Sequence, residues 1–285
     1  MKAFIAVILI SLFIIGDLSA QERPYALVAG GSKGIGYAIA EALAKRGYNL
    51  VLVARHIDAL QLAQTKLINE YHVAVEVLVF DLSKEESATQ IGNWCKQRNL
   101  KLKMLCNVAG LGGSHDYLSL PLDSLRYMVR LNIESTMALT YSLLPLLEQN
   151  APSYILNVAS MAAFAPIPSK NMYSATKSAV LFFSYGLREQ LKKKNISVSC
   201  LAPGPVFTKP EIREQTIRQL GWIGKQMAVS PQKVGEIAVQ QTLTGKMVIV
   251  PGNLAKITSI FLRVLPRRWS SGIYAALNKP GVNGE

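Results

Sequence analysis

The sequence predicts an α/β fold, a doubly wound parallel sheet of about seven strands with helices on both faces. Three observations carry that prediction. Short apolar runs alternate with stretches of helical periodicity. A glycine-rich turn joins the first apolar run directly to the first helical stretch. Half of the 285 residues are hydrophobic and 17% are charged, a composition that suits a well-buried sheet and excludes a disordered chain. Strand and helix units in alternation imply parallel pairing through right-handed crossovers. The length suits one large domain.

Before the first strand, MKAFIAVILISLFIIGDLSA carries Lys2, an apolar run from Ala3 to Gly16 and the small-residue end Leu18-Ser19-Ala20. This is the layout of a secretory signal with Ala20 at a cleavage site, or of an uncleaved anchor. Residues 1–22 are therefore expected to make the protein membrane-associated or exported. Lys2 before the run, with Asp17 and Glu22 after it, points the domain outward.

The strand Tyr25–Ala29 runs into Gly30-Gly31-Ser32-Lys33-Gly34-Ile35-Gly36 and a helix reaching Arg46. Glycines at 30, 34 and 36 let the backbone turn tightly and approach a pyrophosphate, whose charge the helix N-terminus meets. The second strand, Asn49–Val53, ends in Ala54-Arg55-His56. An acid there would bind a ribose 2′-hydroxyl, whereas an arginine accommodates a 2′-phosphate, so Arg55 with Lys33 favours NADP(H).

A helix from Asp58 to Tyr71 leads to the strand Val73–Phe80, after which Asp81 suits an N-cap. The strand Leu102–Cys106 ends in Asn107-Val108-Ala109-Gly110, and a long helix from Leu122 to Glu148 holds Asn132, a poor helix former in a helix interior. His115 reads as a solvated loop residue. The strand Tyr154–Val158 delivers Ser160, and a helix from Asn171 to Lys194 carries Tyr173 and Lys177. Four residues apart, these two share a helix face. The ammonium is expected to lower the phenol pKa, making Tyr173 a proton donor to a carbonyl, with the Ser160 hydroxyl on the same oxygen. The strand Ile196–Leu201 ends in Pro203-Gly204-Pro205-Val206-Phe207-Thr208. Residues 209–229, with Trp222, Ile223 and Met227, read as a lid or as a surface helix. A helix from Pro231 to Thr242 and the strand Met247–Val250 complete the alternation.

The glycine spacing G-x-x-x-G-x-G, the Asn107-Val108-Ala109-Gly110 element and Ser160 thirteen residues before Tyr173-x-x-x-Lys177 resemble the short-chain dehydrogenase/reductase family over roughly residues 24 to 251. The resemblance implies a Rossmann-like NADP-binding catalytic domain over 23–252. Cofactor contacts would come from Gly30, Ser32, Lys33, Gly34, Ile35, Gly36, Arg55, Asp81, Asn107, Ala109, Gly110, Tyr173, Lys177, Pro203, Gly204, Val206 and Thr208. Catalysis would fall to Asn132, Ser160, Tyr173 and Lys177, with Asn132 opening its helix locally and holding a water that links the lysine to solvent. Ala29 departs from the family, which usually has threonine there. The implied activity interconverts a carbonyl and a secondary alcohol. Binding without turnover, or epimerase or dehydratase chemistry, are the rival readings. Met161, Ala162, Ala163, Phe164 and Ile167 suggest a hydrophobic carbonyl or alcohol substrate, lipid-like or steroid-like, and a homodimer or homotetramer is expected.

The net charge of +13 is spread along the chain with no aromatic-interleaved basic stripe, which argues against nucleic acid. The three cysteines form no disulfide framework, and no Cys or His cluster has metal-ligand spacing. In the extension 253–285, Leu254, Ile257, Ile260, Phe261, Val264 and Leu265 recur at helical spacing beside Lys256, Arg263, Arg267 and Arg268, followed by Trp269 and Tyr274. Such a basic amphipathic helix suits a membrane surface, its own domain or a subunit partner.

Overall fold

The computed structural model describes residues 23–112, 117–207, 214 and 228–277. The expectations for residues 1–22, His115, Thr208 and the lid residues Trp222, Ile223 and Met227 lie outside the described residues. Seven parallel strands form one sheet in the order β3-β2-β1-β4-β5-β6-β7. They are β1 (Tyr25–Ala29), β2 (Asn49–Ala54), β3 (Val75–Val79), β4 (Leu102–Asn107), β5 (Ser153–Val158), β6 (Ile196–Leu201) and β7 (Val248–Ile249). Successive strand residues divide between two cores, as a pleated strand buried on both faces requires. Ala26 and Val28 of β1 and Leu50 and Leu52 of β2 join one core, while Leu27, Ala29, Val51 and Val53 join the other.

The first core is covered by α1 (Gly34–Ala44), α2 (Ile57–Tyr71) and, after a long interval of chain, α7 (Pro231–Leu243). The second is covered by α3 (Ser87–Gln97), α5 (Ser135–Gln149) and α6 (Asn171–Leu191). Helices α1 and α7 pack closely, because a β-carbon on Gly235 would sit 2.3 Å from the Ala38 carbonyl oxygen. Arg46 and Glu236 pair across the end of the same contact.

Two expected elements differ. The long helix from Leu122 is α4 (Leu122–Val129), a π-helical turn (Arg130–Glu134) and then α5. The third strand starts at Val75, not Val73, because His72 ends α2 in the left-handed region at φ 53°.

Beyond β7 lie α8 (Asn253–Val264) and α9 (Arg267–Leu277), separated at Pro266, which stops the first helix. The face that α8 turns to the domain is its small-residue arc: Ala255, Ser259 and Leu262 are buried. Leu254, Ile257, Ile260, Phe261 and Val264 point outward. Docking of the bulky stripe on its own domain, one of the sequence readings, is therefore not what the structure shows. Among the described residues no helix is long and apolar enough to cross a membrane.

Candidate active site

The strand order reverses between β1 and its neighbours β2 and β4, and at the carboxyl ends of these strands opens a cleft of about 440 Å³. A doubly wound sheet places its ligand crevice at this switch point. Gly30 takes φ +90°, and a β-carbon on it would stand 2.8 Å from the Ala109 nitrogen. On Gly36 a β-carbon would stand 2.0 Å from the Gly30 carbonyl oxygen. The turn can therefore lie flat against the end of β4 only without side chains at these positions. Ser32, Lys33, Ile35, Ala109, Gly110, Pro203, Gly204 and Val206, all expected on the cofactor, join Gly30 and Gly36 in the cleft wall. Gly34 heads α1 without lining the cleft.

Arg55 lines the far end and donates to the Tyr127 hydroxyl at 2.5 Å. Among the described residues no acidic side chain lines that end; Ala54 and His56 flank the arginine. Asp81 does not line the cleft, although its neighbours Phe80 and Leu82 do. Its carboxylate accepts from the Ser83 amide at 3.0 Å and the Ser83 hydroxyl at 2.8 Å. Burial raises the Asp81 pKa, but these two bonds, with Arg55 and Lys84 nearby, outweigh it and hold the carboxyl below its ordinary value. Asn107 is turned away as well. Its amide donates to Thr140 at 3.1 Å and Asn157 at 2.9 Å, between the sheet and α5, and its oxygen has no partner among the described residues. Asn107 thus braces β4, β5 and α5 beneath the cleft.

At the other end stand Ser160, Tyr173 and Lys177. Ser160 follows β5 in extended backbone and its hydroxyl accepts from the Ala162 amide at 3.2 Å. Tyr173 rises from the first turn of α6, with Gly112 close enough that a β-carbon there would touch its ring at 3.6 Å. Lys177, one turn on, is 4% exposed. Its ammonium donates to the Val158 carbonyl at 2.8 Å and lies 5.9 Å from the centre of the Tyr173 ring.

The expectation that Lys177 lowers the Tyr173 pKa needs correction. Burial raises the phenol above its ordinary 10.0, and a hydrogen bond with Ser160 only partly offsets this. Burial also acts on its neighbour: it pulls the Lys177 ammonium from 10.5 down to about 8, opposed by Cys200.

Asn132 lies in the π turn, buried beside this group. Its oxygen accepts from the Leu111 amide at 2.7 Å, and its nitrogen donates to the Leu111 carbonyl at 2.9 Å and to Thr176 at 3.0 Å. A β-carbon on Gly110 would come within 3.2 Å of the Asn132 oxygen and 3.1 Å of the Lys177 nitrogen, so Gly110 keeps this corner open. Asn132 thereby ties the loop after β4 to the helix bearing Tyr173.

Sequence reasoning missed His56, Phe80, Leu82, Leu111, Gly112 and Leu131 as cleft residues. For Phe80 and Leu82 the signal was position, at the carboxyl end of a strand beside the glycine turn. The apolar group after Ser160 is a second correction. Met161, Ala163 and Phe164 pack inward with Val180, Leu181, Ala255 and Leu262, and do not line the cleft. Arg263 stacks over the Phe164 ring at 4.5 Å, and Arg267 donates to the Phe164 carbonyl, so the C-terminal helices brace the loop that follows Ser160.

The group can hold an oxygen between two hydroxyls and exchange a proton with it, while the glycine turn offers a phosphate cradle at the helix N-terminus. Comparison with known proteins agrees with this geometry. The short chain dehydrogenase family model matches residues 24–217. Very-long-chain 3-oxoacyl-CoA reductase of Mus musculus is 33% identical over 189 residues, 65% of this chain and 60% of that protein. The Danio rerio reductase-A is 32% identical over 208 residues, 71% of this chain and 65% of that protein, so the match spans less than two thirds of these relatives. The short-chain dehydrogenase from Sphingobium yanoikuyae in complex with NADPH superposes with a TM-score of 0.72 at 26% identity, over 92% of this chain and 98% of that one. The bulky-bulky ketone specific alcohol dehydrogenase from Comamonas testosteroni does so with a TM-score of 0.70 at 25% identity, over 92% and 97%. A family match that starts at β1 and runs beyond the last described wall of the cleft, on a sheet of this order, makes the chain a member of the short-chain dehydrogenase family.

Proposed function

We propose that this chain is an NADP(H)-dependent oxidoreductase that interconverts a carbonyl and a secondary alcohol on a hydrophobic substrate. The observation that carries the reading is the meeting of the Ser160 and Tyr173 hydroxyls with the buried Lys177 at one end of a cleft whose other end holds Arg55 and, among the described residues, no acid. The residues present fit a dinucleotide, because side chains at Gly30 and Gly36 would fill the cradle that a pyrophosphate needs. Gly30, Ser32, Ile35 and Gly36 would hold the phosphates, Lys33 and Arg55 the 2′-phosphate, and Ala109, Gly110, Pro203, Gly204 and Val206 the nicotinamide half.

When bound, the nicotinamide supplies or takes up the hydride. Ser160 donates a hydrogen bond to the substrate oxygen, and Tyr173 transfers the proton to it in reduction or removes it in oxidation. Burial keeps Tyr173 protonated through neutral pH, the state needed in the reducing direction. Lys177 would replenish that proton and, with the cofactor bound, hold its ribose, and Asn132 fixes the corner beside it through Leu111 and Thr176. Two relatives support a lipid-like or otherwise bulky substrate by their names, very-long-chain 3-oxoacyl-CoA reductase and bulky-bulky ketone specific alcohol dehydrogenase. The cleft walls Leu111, Leu131 and Val206 are of matching character.

In the same reading residues 1–22 are a signal or anchor, and the chain forms a homodimer or homotetramer. Exposed Tyr141 on α5 and Phe182 on α6 are apolar surface that a second subunit can cover. The decisive experiment is Tyr173→Phe, assayed with NADPH against ketones of increasing chain length. NADPH binding should persist while turnover falls by at least ~10²-fold, the low end for a general acid. A rate near that of the unmodified protein, or no NADPH consumption by the unmodified protein with any ketone, would overturn the proposal.

A further inference from the structure

The two helices beyond β7 present a surface that the chemistry of the cleft does not use. At about 100° per residue, Ala255, Ser259 and Leu262 occupy one arc of α8 and dock on the domain, whereas Leu254, Ile257, Ile260, Phe261 and Val264 occupy the opposite arc. The outer arc is open to solvent: Ile257 is 53% exposed, Ile260 61%, Phe261 67% and Val264 81%. Trp269 and Ile273 of α9 add two more exposed apolar side chains. Five large apolar residues on one outward arc are not the residue of a packing compromise, since the inward arc is already filled by small residues that let the helix approach closely.

Charge decides between occupants. Residues 253–284 include Lys256, Arg263, Arg267, Arg268 and Lys279 and no acid. Arg263 and Arg267 are held by the fold, the first over the Phe164 ring and the second on the Phe164 and Leu262 carbonyls. Lys256 and Arg268 are not, and among the described residues no acidic side chain pairs with either. On the helical wheel Lys256 and Arg263 border one side of the apolar arc. A second copy seated on this face would set the same local cations, Lys256, Arg263, Arg267 and Arg268, against each other. An anionic lipid surface accepts both features, because apolar side chains enter the acyl boundary, flanking cations meet headgroups, and an indole such as that of Trp269 settles at the interface.

We infer that the outward face of α8, with Trp269 and Ile273 of α9, lies in the surface of an anionic bilayer, bound through Ile257, Ile260, Phe261 and Val264 and steered by Lys256 and Arg268. This contact is separate from any insertion by the N-terminal apolar run, and the test must tell the two apart. The native cysteines Cys95, Cys106 and Cys200 are all buried, so one surface cysteine can be labelled selectively. Full-length Ile260→Cys is labelled with an environment-sensitive fluorophore and mixed with phosphatidylcholine vesicles with and without phosphatidylserine. A Leu62→Cys label on α2, beside β2 and β3 at the far edge of the sheet from β7, serves as the control. NADPH binding checks the fold of each variant.

The label at 260 should shift to the blue with phosphatidylserine vesicles and be quenched by quenchers carried on the acyl chains, while the label at 62 stays in water. Removing cations by Lys256→Gln and Arg268→Gln should lower the inserted fraction at low salt by about fivefold each. A label at 260 that stays aqueous overturns the inference, whether the protein sediments with vesicles through its N-terminus or not at all. Equal insertion into phosphatidylcholine alone overturns the anionic assignment. A shift that needs no vesicles and grows with protein concentration, with crosslinking between two copies at 260, makes the face a subunit contact.

Discussion

Replacing Lys177 by methionine keeps a long, unbranched side chain and removes the titrating nitrogen. In the native protein that nitrogen is enclosed, bonded to the Val158 carbonyl, and its pKa falls from 10.5 to about 8. Between these two values the native protein binds fewer protons than the unfolded chain. Stability therefore rises with pH across that window and is indifferent to this group below it. Carrying the ammonium in the folded state below pH 8 costs roughly 3 kcal/mol, at 1.36 kcal/mol per pKa unit. By pH 9.5 about 2 kcal/mol of that cost is relieved. Urea titrations of the cofactor-free protein at pH 7 and pH 9.5, made on the unmodified chain and on Lys177→Met, isolate the effect because every other group titrates in both. The unmodified chain should gain about 2 kcal/mol relative to the variant between the two pH values. Parallel behaviour would refute the argument that burial, and not a partner, sets this lysine.

Three further outcomes are expected. Arg55→Asp places a carboxylate where a 2′-phosphate would lie and should reverse the preference from NADPH to NADH in a binding titration; equal affinity of the unmodified protein for both would refute the assignment. Gly36→Ala brings a methyl group to 2.0 Å from the Gly30 carbonyl oxygen and should abolish cofactor binding and lower the thermal midpoint, measured by calorimetry. Deleting residues 253–285 uncovers Phe164 and Ala163 and frees the loop after Ser160, so turnover should fall further than NADPH affinity, as steady-state kinetics and a binding titration together would show.

The strand pattern was legible because each apolar run is bounded by a glycine, a charge or a polar pair. Tyr25–Ala29 and Ile196–Leu201 lie where the sequence puts them. The members of the cleft that sit on strand ends and on one face of α6 were legible for the same local reason. What the sequence hid depends on residues far apart in the chain. Asn107 follows a strand in a cofactor-like motif, yet Thr140 and Asn157 draw its amide inward. Helical spacing marks an apolar arc on α8 but does not say which arc meets the domain; the small arc wins because Ala255 and Ser259 let the backbone come close. Tyr173 and Lys177 at i, i+4 promise a cation beside a phenol, but how far each is desolvated depends on Gly112, Val158 and the rest of the enclosure, which no local pattern encodes.

The packing of α1 against α7 has a consequence for how the protein is made. Arg46 and Glu236 are 190 residues apart, and Ala38 rests against Gly235. A ribosome therefore releases the first helix long before the helix that covers it exists. During that interval the α1 side of the glycine turn is exposed. Nascent chains stopped before residue 231 should be captured by holding chaperones through this uncovered helix, and protection from proteolysis should appear in one late step once α7 has emerged.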